Sequence, residues 1–264
     1  MSARVHVLHA GLAITLIACA LWVPPGWRAI AIALSLFAFA ALVAYLVWSP
    51  RTQWFVPTIV HGDPERAAIA LTFDDGPDPD WTPRVLDVLA EHGAKATFFV
   101  VGARAEAHPE LLQRMVREGH TVGCHSHTHA MSFHFWSARA MAHDLERAQA
   151  VLTRVLGAPS PWFRPPQGIR TPQLAAALTR LHTPVRCVTW SARGNDALPT
   201  RREHIERRLL PALTAGAILT LHDGTGLGGG DDRSVTIDAL RTLLTQARER
   251  QLSCVNLADL LRLS

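Results

Sequence analysis

Lysine is almost missing from this chain of 264 residues. Lys95 is the single one, and the formal charge of +4 rests on arginine. The arginines are scattered, with no run interleaved with aromatic residues, which excludes the basic stacking groove of a nucleic-acid binder. Cysteine is scarce too: Cys19, Cys124, Cys187 and Cys254 show no paired spacing and no CxxC. That excludes a disulfide framework and a thiolate zinc site, and leaves each cysteine as a small apolar residue. No internal repeat or low-complexity tract occurs.

What the chain has in excess is apolar sequence, 48% hydrophobic, concentrated in its first fifty residues. No charge occurs from Val5 to Val23, nor again from Ala29 to Trp48. Each run is about the ~20 residues that cross a hydrocarbon core as a helix. Trp22, Trp27, Trp48 and Trp54 fall near the ends, where amphipathic rings settle. Pro24, Pro25 and Gly26 suit a tight hairpin between the spans. A buried helix pair in a soluble core is one competing reading. A cleaved leader ending at LIAC, residues 16–19, is another, but a second span directly behind the first argues against secretion. The expectation is a multi-pass anchor in a bacterial inner membrane over 1–56, with spans at 5–23 and 29–48, and a separate domain over 57–264. Arg4 and Arg51 flank the hairpin on one side and Arg28 on the other, a bias of about one charge that leaves the membrane face open.

After Pro57 the pattern becomes strand and helix in alternation. The expected strands are Ala67–Phe73, Thr97–Val101, Thr121–Cys124, Trp162–Arg164, Val185–Trp190, Ala217–Leu221 and Leu252–Val255. Between them run helical segments such as Pro83–His92, with a threonine cap before it and Gly93 behind, and Ser137–Leu156. Strict alternation predicts a parallel α/β fold, either an open sheet or a barrel. TFDDG, GCHSHTH, RPPQG, WSARGND and LHDG each follow one of these strands. Carboxyl ends of parallel strands are where ligand sites form, so five polar clusters on one rim point to a site.

Asp74 and Asp75 are adjacent at the end of an apolar run, which costs repulsion and desolvation. DDGPDPD also reads as a solvated turn, and a calcium loop fits poorly because its ligands alternate at every second residue. Alternation at a strand end lets one aspartate bind a cation while its neighbour stays a base. His125, His127 and His129, with His120 and His134 nearby, supply imidazoles. Two of them with a carboxylate make a catalytic metal set, and the spacing leaves the pair open. His222 follows another strand and faces the same rim, against the alternative of a buried or capping histidine. Arg164 and Asp196 fit orienting roles, against an ordinary ion pair.

Together the motifs resemble the polysaccharide deacetylases of carbohydrate esterase family 4, the NodB-type homology domain, over roughly Ala67 to Leu260. The resemblance implies a distorted (β/α) barrel of about seven parallel strands, here preceded by two transmembrane helices. In TFDDGP it implies Asp74 as base and Asp75 as metal ligand, and in HSHTH it selects His125 and His129, with Ser126 holding the loop and His127 outside the set. It further implies Arg164 as partner of the base, His222 as general acid and Asp196 as the group that tunes it. Pro166, Gln167, Gly168, Trp190 and Leu221 fall on the substrate side, with a backbone N–H near Gln167 for the oxyanion. The implied cofactor is a divalent metal, zinc foremost, with cobalt or another divalent ion as alternatives. The implied partners are an N-acetylated amino-sugar glycan or a lipid-linked sugar and the lipid bilayer, with no nucleic acid. The family mostly removes N-acetyl groups from chitin or peptidoglycan, and some members act on lipid-linked sugars.

The chain departs from the family pattern at Gln167, Arg193, Ala197 and Thr220, all expected in the pocket wall. The departures bear on the substrate more than on the reaction. The expectation is therefore a metal-dependent N-deacetylase of amino sugars. A deformylase or deacylase of a lipid-linked amino sugar and a catalytically silent glycan-binding domain are the alternatives.

Overall fold

The computed structural model describes residues 3–49, 52–224 and 232–261. Two long helices come first, α1 (Ala3–Trp22) and α2 (Pro25–Trp48), packed side by side. Both are long and apolar enough to cross a membrane, and α2 has no buried residue. The second helix starts before the expected span: Pro24 caps it and Pro25 occupies its first turn, because proline's fixed φ suits a position whose N–H needs no partner. Arg51, used above for orientation, lies outside the described residues.

The rest alternates strand and helix: β1 (Thr58–Ile59), β2 (Ala68–Asp74), α3 (Thr82–Glu91), β3 (Ala96–Val100), α4 (Gly102–Ala107), α5 (Pro109–Arg117) and β4 (Thr121–Cys124). Then follow α6 (Ala138–Leu156), β5 (Trp162–Phe163), α7 (Pro172–Leu178), β6 (Arg186–Val188), β7 (Ala192–Arg193), α8 (Arg202–Leu209), β8 (Ile218–His222), α9 (Ser234–Glu249), β9 (Ser253–Cys254) and α10 (Leu257–Leu260). Eight strands pair in the order β1-β6-β5-β4-β3-β2-β8-β7, all parallel, and β9 pairs with β2 off that path. The sheet curls, and an antiparallel bridge between His61 and Ala217 joins β1's extension to the foot of β8. The result is the expected distorted parallel barrel, with more strands than expected. The run Val185–Trp190 ends its pairing at β6, and the chain then crosses to β8 as a separate β7. Two-residue strands such as β1 and β7 carry too few residues to show a period.

Every residue of β2 is buried, as expected for a strand with a parallel neighbour on each side. Ile69, Leu71 and Phe73 pack outward under the helices. Ala68 and Ala70 pack inward with Trp162, Val188 and Ile218, and Leu257 and Leu260 of α10 close that end. Small inward side chains leave room for larger ones from neighbouring strands. The same alternation carries Thr72 and Asp74 up the inside of the barrel toward its C-terminal rim. Thr72 donates to the Leu219 carbonyl and lies 3.0 Å from the Thr220 hydroxyl, tying β2 to β8.

The threonine expected to cap α3 does not cap it. Thr82 is the helix's first residue, and its hydroxyl donates to Asp223 Oδ2 at 2.6 Å. Phe55 and Val56, which the sequence boundary assigns to the anchor, pack into the core of the barrel domain.

Candidate active site

Asp74 ends β2 pointing inward, and Arg164 NH1 donates to its Oδ1 at 2.7 Å. Arg164 is fully buried over the Phe99 ring and also donates to Thr72 Oγ1 and the Thr189 carbonyl. A buried guanidinium held on that many sides fixes the carboxylate it pairs with. The next residue breaks the strand. Asp75 has φ 73°, in the left-handed region. An uninterrupted strand would turn Asp75 away from Asp74, but this backbone turn keeps both near the rim. Asp75 Oδ1 lies 3.5 Å from His125 Nε2 and 3.2 Å from His129 Nε2.

β4 hands the chain to the histidine loop. His125 Nδ1 meets the Arg164 carbonyl at 2.7 Å, which leaves Nε2 turned toward Asp75. Ser126 and His129 both have positive φ, and Ser126 Oγ accepts from the His129 N–H at 3.0 Å, so the loop folds back on itself. This brings His125 and His129 together, with ring centroids 5.0 Å apart. His127 is carried away: its N–H donates to Asp144 Oδ1 at 2.7 Å, while Thr128 donates to Oδ2 at 2.8 Å. His120 lies at the opposite end of β4, its Nδ1 accepting from the Ala96 N–H, and stays neutral because burial lowers it to about 4. His134 is not in the ligand group either.

One ligand atom each from Asp75, His125 and His129 lies within 4.8 Å of the others. Asp75 Oδ1 is buried with no hydrogen bond, which is costly for a carboxylate oxygen unless a cation meets it. Burial raises Asp75, but the neighbouring imidazoles of His125, His222 and His129 overcome it and hold the carboxyl well below its usual range. Burial, then the charge of His125, lowers His129 to about 4, so its ring is neutral and able to ligate. A neutral His129, the His125 ring with Nε2 toward Asp75, and an ionised carboxylate fit a divalent ion.

Asp74 and His222 are register partners on adjacent strands. His222 Nδ1 meets Asp196 Oδ1 at 2.8 Å, and the His222 N–H donates to Oδ2 at 2.9 Å. Thr236 also donates to that oxygen, and Arg233 to the Asp196 carbonyl. Burial lowers His222, but Asp196 outweighs it, with Asp75 and Asp74 adding, and raises the ring to about 9. Burial raises Asp196, and His222 overcomes that to keep it ionised.

These groups open into a cleft of about 550 Å³ whose wall includes Gln167, Trp190, Arg193, Asn195 and Leu198. Gln167 and Trp190, expected on the substrate side, line this cleft. Pro166 and Gly168 are buried on either side of Gln167, which has φ 56°. A Cβ on Gly168 would lie 2.5 Å from the Trp190 ring, so only glycine allows that approach. Leu221 does not reach the cleft. It points outward from β8, fully buried under the helices, because it alternates with Thr220 and His222. The departures Arg193, Ala197 and Thr220 all line the cleft, and Arg193 lies over Trp190 at 5.4 Å.

Three contributors are outside the site residues expected from the sequence. Asp144, on α6, braces the histidine loop from fifteen to nineteen positions away. Asp223 is fully buried and raised to about 7, by burial first and then by Asp75 and Asp74, against the Thr82 hydrogen bond. A Cβ on Gly76 would lie 2.3 Å from that carboxylate, so glycine is required there. Trp48, at the end of α2, lines the cleft although it belongs to the apolar hairpin.

The sequence matches the family described as polysaccharide deacetylase over residues 61–185. It is 31% identical over 194 residues to a peptidoglycan-N-acetylglucosamine deacetylase of Bacillus cereus, covering 74% of this chain and 88% of the relative. The chain belongs to the polysaccharide deacetylase family. A chitooligosaccharide deacetylase of Bradyrhizobium is similar as well, at 38% identity over 169 residues, 64% of this chain and 75% of that one. Among solved structures, the Bc1960 peptidoglycan N-acetylglucosamine deacetylase superposes with a TM-score of 0.70 at 27% identity, covering 78% of this chain and 94% of its own. The matched family region contains Asp74, Asp75, His125, His129 and Arg164, and ends before Asp196 and His222.

Proposed function

We propose that this polysaccharide deacetylase hydrolyses the N-acetyl group of an amino sugar in a glycan, releasing acetate and the free amine. The observation that carries it is the meeting, in one cleft, of an ionised Asp75 beside two imidazoles with Asp74 and His222 side by side on adjacent strands. Asp75, His125 and His129 would hold the divalent ion, which we take to be zinc, with cobalt able to replace it. When bound, the ion supplies Lewis-acid polarisation of the acyl carbonyl and acidifies the attacking water.

Asp74 takes the water's proton as the C–O bond forms, with Arg164 holding the carboxylate in place. The Gln167 N–H, in its left-handed turn on the cleft wall, supports the oxyanion. His222, its Nδ1 occupied by Asp196, gives the proton on Nε2 to the departing nitrogen as the C–N bond breaks. Asp196 keeps that ring protonated near neutral pH.

The test is acetate release from N-acetylglucosamine oligosaccharides by the full chain. Activity is expected to vanish on thorough chelation and to return with Zn²⁺ or Co²⁺. Undiminished turnover by metal-free protein would sink the mechanism. A silent glycan-binding domain needs neither a paired base nor a paired acid, which is why that alternative is set aside.

We further propose that α1 and α2 form a membrane anchor, since their exposed apolar surface needs a lipid cover. A lipid-linked amino sugar is the second reading of the substrate, favoured by this anchor.

A further inference from the structure

Helix α2 does not simply tether the barrel; its end is built into the site. Trp48 stands in the wall of the cleft that also holds Asp74, Asp75, His125, His129 and His222. Arg170, three residues after Gln167, fixes this arrangement. Its backbone N–H donates to the Val47 carbonyl at 3.1 Å, NH1 donates to the Thr52 carbonyl at 2.7 Å, and NH2 donates to the Ser49 carbonyl. Its Nε turns back to the Gly168 carbonyl at 3.3 Å. Arg170 is 2% exposed, so a buried cation is committed to the carbonyl end of α2, where cations are favoured. The other end of the hairpin is pinned to the same segment: Arg4 donates to the Gln53 and Trp54 carbonyls at 2.9 and 2.5 Å.

Exposed apolar side chains reach the cleft wall. Beyond the hairpin, the exposed large apolar side chains among the described residues are Val116, Met131, Phe135 and Leu198. Leu198 lines the cleft, Met131 accepts from Gln167 on its wall, and Phe135 follows the histidine loop. Exposed apolar groups clustered beside a site mark a contact surface. Here Leu198 shares the cleft wall with Trp48 at the end of α2, and a tryptophan at the end of a membrane-crossing helix sits at the lipid–water boundary.

We infer that the end of α2 is a wall of the active site, and that the cleft opens onto the bilayer and takes its substrate from there. That substrate is an amphiphile with an N-acetylated amino sugar as head group, its chain lying along Trp48 and Leu198 into the lipid. Arg170 is a positioning residue, coupling the membrane helix to the Gln167 loop. The inference rests on the deacetylase and membrane readings above and extends them.

The experiment uses the full chain, metal-loaded, in phospholipid vesicles. Two probes carry the same N-acetylglucosamine, one as a dodecyl glycoside and one as a methyl glycoside. The wild type is expected to prefer the dodecyl probe in kcat/KM by about tenfold or more, the gain expected from burying even two or three CH₂ groups. Trp48→Ala and Arg170→Gln are each expected to remove most of that preference while metal content stays at the wild-type level. Should Arg170→Gln fail to fold, Trp48→Ala alone decides. No preference in the wild type, or equal losses on both probes in Trp48→Ala, overturns the inference while acetate release leaves the deacetylase standing. A chain that does not float with the vesicles overturns it too. Acetate from neither probe overturns the inference, and acetate release from the oligosaccharides separately decides the reaction.

Discussion

Asp74 and Asp75 are neighbours with different surroundings, and equal-sized neutral substitutions should separate them. Asp75→Asn removes the anion between the two imidazoles, so bound metal and activity are expected to fall together, with partial recovery in excess metal. Asp74→Asn leaves the Asp75, His125 and His129 group whole, so metal is expected to stay while turnover drops by about 10²–10⁴, the contribution of a positioned base. Metal analysis beside turnover on both variants checks this. Equal metal loss would make Asp74 a ligand. His222 supplies the pH test. Its ring is raised above the ordinary 6.5 to about 9, so as an acid it is competent below that value and fails as pH rises through it. The paired imidazolium likewise stabilises the fold fully below 6.5 and loses that contribution as pH climbs through about 9. Asp196→Asn removes the main group raising the ring, so the alkaline limb of kcat is expected to move down by about 1–3 pH units. An unmoved limb would take the role of acid from His222.

At the scale of elements, the histidine loop between β4 and α6 depends on a brace it does not contain. Asp144 accepts from the His127 N–H and the Thr128 hydroxyl, and Ser126 closes the loop on His129. Asp144→Ala leaves those donors without partners, at a cost of about 1–3 kcal/mol. Because the loop sets the ligand geometry, metal affinity is expected to fall by about 10–100-fold, as for other outer partners of metal ligands. Metal titration of Asp144→Ala, with thermal unfolding beside it, checks this. A variant that loses stability and keeps its affinity would make the brace purely structural. The strand expected at Val185–Trp190 shows the limit of reading elements from the sequence. The six residues read as one strand, yet pairing with β1 ends near Val188, and the Ser191 N–H donates across to the Ile218 carbonyl.

For the whole molecule, the boundary between anchor and barrel has a consequence for stability. Val56 is buried and Phe55 packs beside the core, so a chain begun at Thr58 lacks side chains the barrel uses. A chain begun at Thr52 keeps both, together with the Thr52 carbonyl that Arg170 holds. Losing Val56 alone removes about 1.5–3 kcal/mol of apolar burial. The shorter chain is therefore expected to melt about 5–10 °C below the longer one. Equal melting temperatures would place the boundary at the proline. The full chain is expected in the membrane fraction, resistant to alkaline carbonate.

The sequence by itself determined the parallel strand–helix alternation, the two apolar helices and the polar clusters at the strand ends. Those signals are local: a hydrophobic period, a turn residue, a run of about twenty apolar positions. It also held the candidates Asp74, Asp75, Arg164, Asp196 and His222, since each ends a strand or follows one closely. Only the tertiary structure decided which of them meet. His125 and His129 converge and His127 leaves because Ser126 and His129 turn left-handed and Asp144 holds the loop from another helix. Asp75 stays at the rim because its own φ breaks the strand. Leu221 was misplaced by one position, enough in a strand to move a side chain from the inside of the barrel to the outside. Asp223 and Trp48 gained their places through contacts made across the fold, with Thr82 and with the cleft wall. Such contacts depend on how a curled sheet brings distant segments together, and no spacing along the chain encodes them.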